Sequence, residues 1–130
     1  MARVLVVEDN EDQRVQIVEG LRDAGHEVFE AEDGQVGYDL AMKTDNIDLI
    51  FADQVMPNKT GLEMVEELRA QPKYQDVIVL FYTTQSKRSL KQQGKILGVT
   101  RWLVKPSPVS VVIKTVQLLV DQRDQAKKAS

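Results

Sequence analysis

Four short apolar runs in this chain each break off at a group able to do chemistry. Val4-Leu5-Val6-Val7 ends in Glu8-Asp9, and the run from Ile47 to Ala52 ends in Asp53. Val77 to Tyr82 leads into Thr83-Thr84, and Trp102-Leu103-Val104 leads into Lys105-Pro106. The four ends carry acid, acid, hydroxyl and ammonium. Brought together, the carboxylates of Glu8, Asp9 and Asp53 repel one another unless a cation lies among them. Hard oxygen donors without histidine or cysteine point to Mg²⁺. Such an ion would use two carboxylates, a backbone carbonyl and waters, keeping positions open for phosphate oxygens. A carboxylate nucleophile in that setting accepts a phosphoryl group as an acyl phosphate. Lys105 and Thr83 would then offset the charge on the transferring group. Asp53 is the central candidate, because Gln54-Val55-Met56-Pro57 follows it and Pro57 removes a backbone donor.

Each group alone has a plainer reading. Glu8-Asp9 suits a helix cap, Asp53 a turn, Thr83-Thr84 a strand end and Lys105 a solvated loop. All four plain readings must hold at once for the grouping to be accidental. Nothing in the set resembles a base for a separate organic substrate.

The elements that position these residues follow from periodicity. Arg3 to Val7 has no polar face and reads as a central strand. Asn10 or Asp9 is expected to cap a helix with Ile17, Val18, Leu21 and Ala24 inward, stopped by Gly25. Glu27 to Ala31 reads as a second strand. Asp33-Gly34 opens a second helix with Val36, Leu40 and Ala41 as its buried stripe. The third strand ends at Asp53. Thr60 and Glu63 have capping-box spacing before a helix that turns Leu62, Val65 and Leu68 inward, and Pro72 ends that helix or marks the turn after it. Val77 to Tyr82 is strand four. Residues 86–97 form a poor helix, with Gly94 inside it, Leu90, Ile96 and Leu97 to bury, and Lys87, Arg88, Lys91 and Lys95 outside. Few buried contacts make it the most easily shifted element. Arg101 to Val104 is strand five. Ser107 is expected to cap a last helix with Pro108 in its first position and Val109, Val112, Ile113, Val116, Leu119 and Val120 in its stripe. Strand-helix alternation of this kind, (βα)5, predicts a parallel α/β sheet covered on both faces. Right-handed crossovers put every strand's C-terminal end on one edge, which makes Glu8, Asp9, Asp53, Thr83 and Lys105 neighbours.

Composition narrows the classes. At 130 residues the chain suits one domain: residues 1–121, with 122–130 as a polar tail expected to fray. No apolar stretch approaches the ~20 residues that span a bilayer, so no membrane insertion is expected. Met1-Ala2-Arg3 leaves no room for a signal peptide before the first strand. The chain has no cysteine, which excludes disulfides and thiolate chemistry and fits a cytoplasmic setting. A net charge of -3 argues against direct nucleic-acid binding. His26 is the one histidine, which excludes a multi-histidine metal site, and it is expected at the surface after the first helix.

With these residues in place, the chain resembles the receiver domains of two-component response regulators over essentially its whole length. Val-Val-Glu-Asp-Asn at 6–10 is similar to the acidic pair that closes the family's first strand. Asp53-Gln54-Val55-Met56-Pro57 with Gly61 resembles its D-x-x-M-P-x-x-x-G phosphoacceptor motif. Thr83 falls at its Ser/Thr position, Lys105-Pro106 at its Lys-Pro pair and Trp102 at its aromatic switch position. The resemblance implies a flavodoxin-like three-layer sandwich with strand order 2-1-3-4-5. It implies phosphorylation of Asp53 by a histidine kinase or histidine phosphotransfer protein. Mg²⁺ would be held by Asp9, Asp53 and the Val55 carbonyl, with Glu8 assisting. It also implies that Thr83 moves toward the phosphoryl group while Trp102 changes rotamer, and that helix four, strand five and helix five form the face read by a partner protein. Thr84 stands where a smaller residue is usual. Apolar Val55, which with Gln85 flanks the site, implies no unusually fast autodephosphorylation, because it places no attacking water.

The expected protein is therefore a chemotaxis- or phosphorelay-type receiver, with a receiver cut from a longer regulator as the near alternative. Val111 and Leu118 lie off the last helix's stripe and, if exposed, suit a homodimer. A Mg²⁺-dependent phosphatase is disfavoured, since Val55 stands where an aspartyl-phosphate hydrolase needs a second acid. A phosphorylation-independent interaction module of the same fold would leave the acid, Thr and Lys set without a purpose.

Overall fold

The computed structural model describes residues 1–129. Its strands are β1 (Arg3–Val7), β2 (Glu27–Ala31), β3 (Leu49–Ala52), β4 (Ile78–Thr83) and β5 (Arg101–Val104). Its helices are α1 (Glu11–Asp23), α2 (Gly34–Lys43), α3 (Gly61–Arg69), α4 (Arg88–Ile96) and α5 (Val109–Ala129), with a short 3-10 turn at Pro72–Tyr74. The strands are all parallel and run in the order β2-β1-β3-β4-β5. This is the flavodoxin-like arrangement. The chain leaves β1 toward β2 and β3 toward β4, and this reversal between β1 and β3 opens a crevice at the strands' C-terminal edge.

Alternation along the strands divides the core into two layers. Val4, Val6, Leu49, Phe51, Leu80 and Tyr82 face α1 and α5. Leu5, Val7, Ile50, Ala52, Val79 and Phe81 face α2 and α3, with Leu90 of α4 and Leu97 just past its end packed at the margin. A side-chain period of two makes this register rigid, since a slip by one residue would exchange the layers.

Helix ends follow local chemistry. Asn10 caps α1 through a 2.9 Å bond from the Gln13 N–H, and Gly25 takes a positive φ of 95° just past its end. The capping box of Thr60 and Glu63 opens α3. Asp33 caps α2, accepting from the backbone N–H groups of Gln35 at 2.8 Å and Val36 at 2.9 Å.

Several expectations are corrected. The inward face of α2 is Gly34, Gly37 and Ala41, and Val36 turns outward. The reason is close approach: a Cβ on Gly37 would stand 2.9 Å from the Val7 side chain. Ala24 is the exposed C-cap of α1. Ile96 is 85% exposed, and Gly94 is the buried residue of α4, under the Trp102 ring. Pro108 stands one position earlier than expected: its carbonyl accepts the first bonds of α5, from Val111 and Val112, while the Ser107 hydroxyl donates to the Val104 carbonyl. The polar segment expected to fray is helical as far as Ala129, and Arg123 within it pairs with Asp48 at 3.2 Å. Residue 130 lies outside the described residues. His26 is buried, not at the surface. Its Nδ1 accepts from the Ala2 N–H at 3.0 Å, which leaves the proton on Nε2 to donate to Gln117 Oε1 at 2.9 Å.

Replacing Asp33 by Ala is expected to cost about 1 kcal/mol in urea unfolding at neutral pH. The Val36 N–H foremost, then Asn58 and Gln35, holds the Asp33 carboxyl below its ordinary value despite burial. Its contribution is present above the ordinary carboxylate range and lost as pH falls through the depressed value. The difference between Asp33→Ala and the unmodified chain should therefore shrink in acid.

Candidate functional site

The β3 strand stops at Ala52, and Asp53 is held at its tip by a 3.2 Å bond from its N–H to the Val7 carbonyl. Glu8 and Asp9 follow β1 directly. One carboxylate oxygen of each of Glu8, Asp9 and Asp53 lies within 4.8 Å of the others. Glu8 and Asp53 are buried and Asp9 is exposed. Lys105 reaches in from the far edge of the sheet, with its Nζ 2.8 Å from Asp53 Oδ2 and 2.7 Å from Glu8 Oε1. Of the neighbours expected from topology, Glu8, Asp53 and Lys105 are thus in contact, with Asp9 beside them.

Gln13, in the first turn of α1, accepts a third bond from Lys105 Nζ. This partner was not anticipated. The available signal was its place three residues after the cap, on the turn that overhangs the acidic pair.

Burial and charged neighbours shift the protonation of Glu8 and Lys105. Burial is the largest influence on Glu8 and raises its pKa; the bonds from Lys105 and the Asn10 N–H oppose this, and the Asp53 charge adds to it. Burial would lower the Lys105 pKa, but its bonds to Asp53 and Glu8 outweigh that and raise it. A lysine raised in the folded state contributes its stability at and below its ordinary range and loses it only as pH climbs past the raised value. Lys105 therefore stays charged across neutral pH.

The loop after Asp53 is fastened at several points. Asp53 Oδ1 accepts from the Val55 N–H at 3.1 Å. Buried Gln54 accepts from the Leu62 N–H at 2.8 Å through its side chain and from the Gly61 N–H at 3.1 Å through its carbonyl. A Cβ on Gly61 would stand 2.4 Å from the Asp53 carbonyl oxygen, so only glycine allows this closure. Gln54 read as an unremarkable motif filler, yet it joins the phosphoacceptor loop to α3. Val55 is 51% exposed.

Thr83 ends β4 fully buried, and its Oγ1 accepts from the Gln85 N–H at 3.2 Å. The Gln85 carbonyl in turn accepts from Trp102 Nε1 at 2.8 Å. The Trp102 ring also packs on Phe81, with centroids 5.1 Å apart. One peptide segment therefore touches both the strand-end hydroxyl and the indole.

The donor set fits a hard divalent cation: three carboxylates, one of them exposed and making no hydrogen bond or ion pair among the described residues. No helix among those residues is long and apolar enough to cross a membrane.

A family model described as the response regulator receiver domain matches residues 4–117. The chain is 34% identical over 105 residues to a chemotaxis protein CheY homolog of Campylobacter jejuni, covering 80% of this chain and 81% of that one. Protein PilH of Pseudomonas aeruginosa is 29% identical over 120 residues, 92% of this chain and 98% of its own. Among solved structures, the chemotaxis protein CheY4 of Vibrio cholerae superposes with a TM-score of 0.84 at 40% identity, covering 90% of this chain and 97% of that one. Sequence motifs, strand order and the lysine–carboxylate edge thus agree with the family match, and the chain belongs to the response-regulator receiver domains of two-component signalling.

Proposed function

We propose that this chain is a signalling switch in which Asp53 accepts a phosphoryl group from a histidine kinase or histidine phosphotransfer protein. The observation that carries the reading is Lys105 Nζ lying 2.8 Å from Asp53 and 2.7 Å from Glu8 at the C-terminal edge of the sheet. Phosphorylation-dependent switching at an acidic pocket that binds Mg²⁺ is general to receiver domains. Here Glu8, Asp9, Asp53 and the Val55 backbone carbonyl would hold the ion, which supplies positive charge beside phosphate oxygens. An Asp53 oxygen bonds to phosphorus as the bond between phosphorus and the donor's imidazole nitrogen breaks, and the imidazole leaves with that electron pair. Lys105 then offsets the added negative charge. The chain assists its own phosphorylation and dephosphorylation and acts on no separate substrate.

Transmission would run through Gln85. If the Thr83 hydroxyl turns toward the phosphoryl group, it releases the Gln85 N–H, and the carbonyl of that residue is what Trp102 Nε1 holds. The adjoining α4 has no side-chain cap and buries only Gly94 fully, so little opposes its displacement. The α4–β5–α5 face would then control a downstream protein. A phosphoryl group need only bias two conformations a few kcal/mol apart. In this reading residues 1–121 form the receiver unit, and the setting is cytoplasmic. The exposure of Val111 and Leu118 on α5 favours a homodimer as a second use of that face.

Incubation with Mg²⁺ and acetyl phosphate, beside Asp53→Asn, tests the acceptor. One phosphoryl group added to the unmodified chain and none to Asp53→Asn, read by intact mass, is the expected result. Absence of both phosphorylation and Mg²⁺ binding would favour the phosphorylation-independent module instead. Thr83→Ala is expected to keep the mass increase but lose the accompanying change in Trp102 emission. Lys105→Met leaves two buried carboxylates without their cation and should cost about 3 kcal/mol in urea unfolding without metal. A cost near zero would mean that the ammonium is solvated in solution.

A further inference from the structure

We infer that Gln13 and Tyr82 are positioning residues for Lys105, which keep its ammonium beside Asp53 when a bound Mg²⁺ shares the carboxylates. This rests on the preceding reading of Asp53 as phosphoacceptor and assigns what steadies the lysine of that reaction. An ammonium has three N–H donors and no acceptor. Lys105 directs its donors at Asp53, Glu8 and Gln13. The Tyr82 ring adds a further contact, with its centroid 5.3 Å from Nζ, within the range of a cation–π interaction. Asp53 and Glu8 belong to the carboxylate group that fits the cation. Two of the lysine's bonds are therefore to residues that Mg²⁺ would draw on. The other two contacts, an amide oxygen and an aromatic face, carry no formal charge and lie outside that group.

Both partners are held in place. Gln13 sits in the first turn of α1, where its N–H donates to Asn10 Oδ1 at 2.9 Å. Tyr82 is buried in β4, with its ring 5.9 Å from that of Phe51. Its hydroxyl donates to the Ser107 carbonyl and accepts from the Ser107 N–H, each at 3.1 Å. Tyr82 thus meets Lys105 at its head and the chain two residues beyond it. A lysine without these contacts is a flexible four-carbon stem with a strongly hydrated end, free to leave once its carboxylates are shared.

The residue types fit this role. Glu11 and Asp12 precede Gln13 in the first turn of α1. An acid at 13 would add a fourth carboxylate to the pocket and compete for the ion. The amide accepts the same N–H bond without adding charge. At position 82 a leucine could fill the core, but it offers neither a π face to the ammonium nor a hydroxyl to Ser107.

NMR of isotope-labelled lysine side-chain nitrogens tests the inference with Mg²⁺ and no phosphodonor. The Lys105 ammonium, assigned by its absence from Lys105→Met, should stay resolved and protected from exchange with water in the unmodified chain. Gln13→Met keeps the length and removes the acceptor. It should broaden the signal with Mg²⁺ and leave it resolved without metal, where Asp53 and Glu8 still hold the lysine. Tyr82→Leu should do the same, while Tyr82→Phe, which keeps the ring, should retain the signal. Gln13 is only half-buried on a helix, so its variant carries the test if Tyr82→Leu does not fold. Gln13→Met should also slow phosphorylation by acetyl phosphate about tenfold at saturating Mg²⁺, without raising the Mg²⁺ concentration for half-saturation. Because the signal is read without a donor, failure of Asp53 to accept a phosphoryl group would count against the acceptor reading alone. A Lys105 signal lost from the unmodified chain on adding Mg²⁺, or one that persists with Mg²⁺ in Gln13→Met, would overturn the inference. So would a slower rate accounted for by weaker Mg²⁺ binding.

Discussion

The site depends on one ammonium shared by two buried carboxylates. Without Lys105, Glu8 and Asp53 would face each other across a few ångströms in a poorly solvated crevice, where like charges are costly. With it, both are satisfied, and the groups that meet come from opposite ends of the sequence and from three strands. The contact therefore also holds the central strands and the edge strand to one common level at their C-terminal ends. An ion among the carboxylates would compete with the lysine for the same oxygens.

Close backbone approach provides the precision this contact needs. Gly37 lets α2 lie against Val7 of the strand that delivers Glu8 and Asp9. Gly61 lets the start of α3 lie against the carbonyl of Asp53 itself. The two carboxylate-bearing tips are thus each backed by a helix at a separation no side chain would permit. In the opposite layer Phe51 and Tyr82 are in ring contact and α1 packs against α5. The sheet is rigid where the chemistry sits and loosely covered toward β5, whose burial is only partial.

Much of this was legible in the residues. Continuous apolar runs ending in polar groups locate the strands, and alternation with helices places their ends on one edge, which associates Glu8, Asp53 and Lys105 from sequence. What periodicity could not show was packing distance. In the expected α2 stripe of Val36, Leu40 and Ala41, Ala41 is buried and Leu40 packs against the core, but the short gap to β1 puts Gly34 and Gly37 inward where Val36 was expected. Ile96 looked like core for the same reason, although the Trp102 ring already occupies the space beneath α4. His26 was misplaced because its partners, Ala2 and Gln117, lie far off in sequence and a polar residue after a helix reads as solvated. Gln13 and Gln54 carry no chemical signature of their own. Their roles come from position: one overhangs the lysine, the other spans the loop.

The link between Thr83 and Trp102 is made by the main chain of Gln85, its N–H on one side and its carbonyl on the other. Every residue except proline offers those same two groups. The identity of the side chain at 85 is therefore free to drift without severing the connection. In the proposed switch, an exchange of the side chain at 85 would leave the main-chain path between hydroxyl and indole in place, so the surface beside the acceptor could vary independently of it.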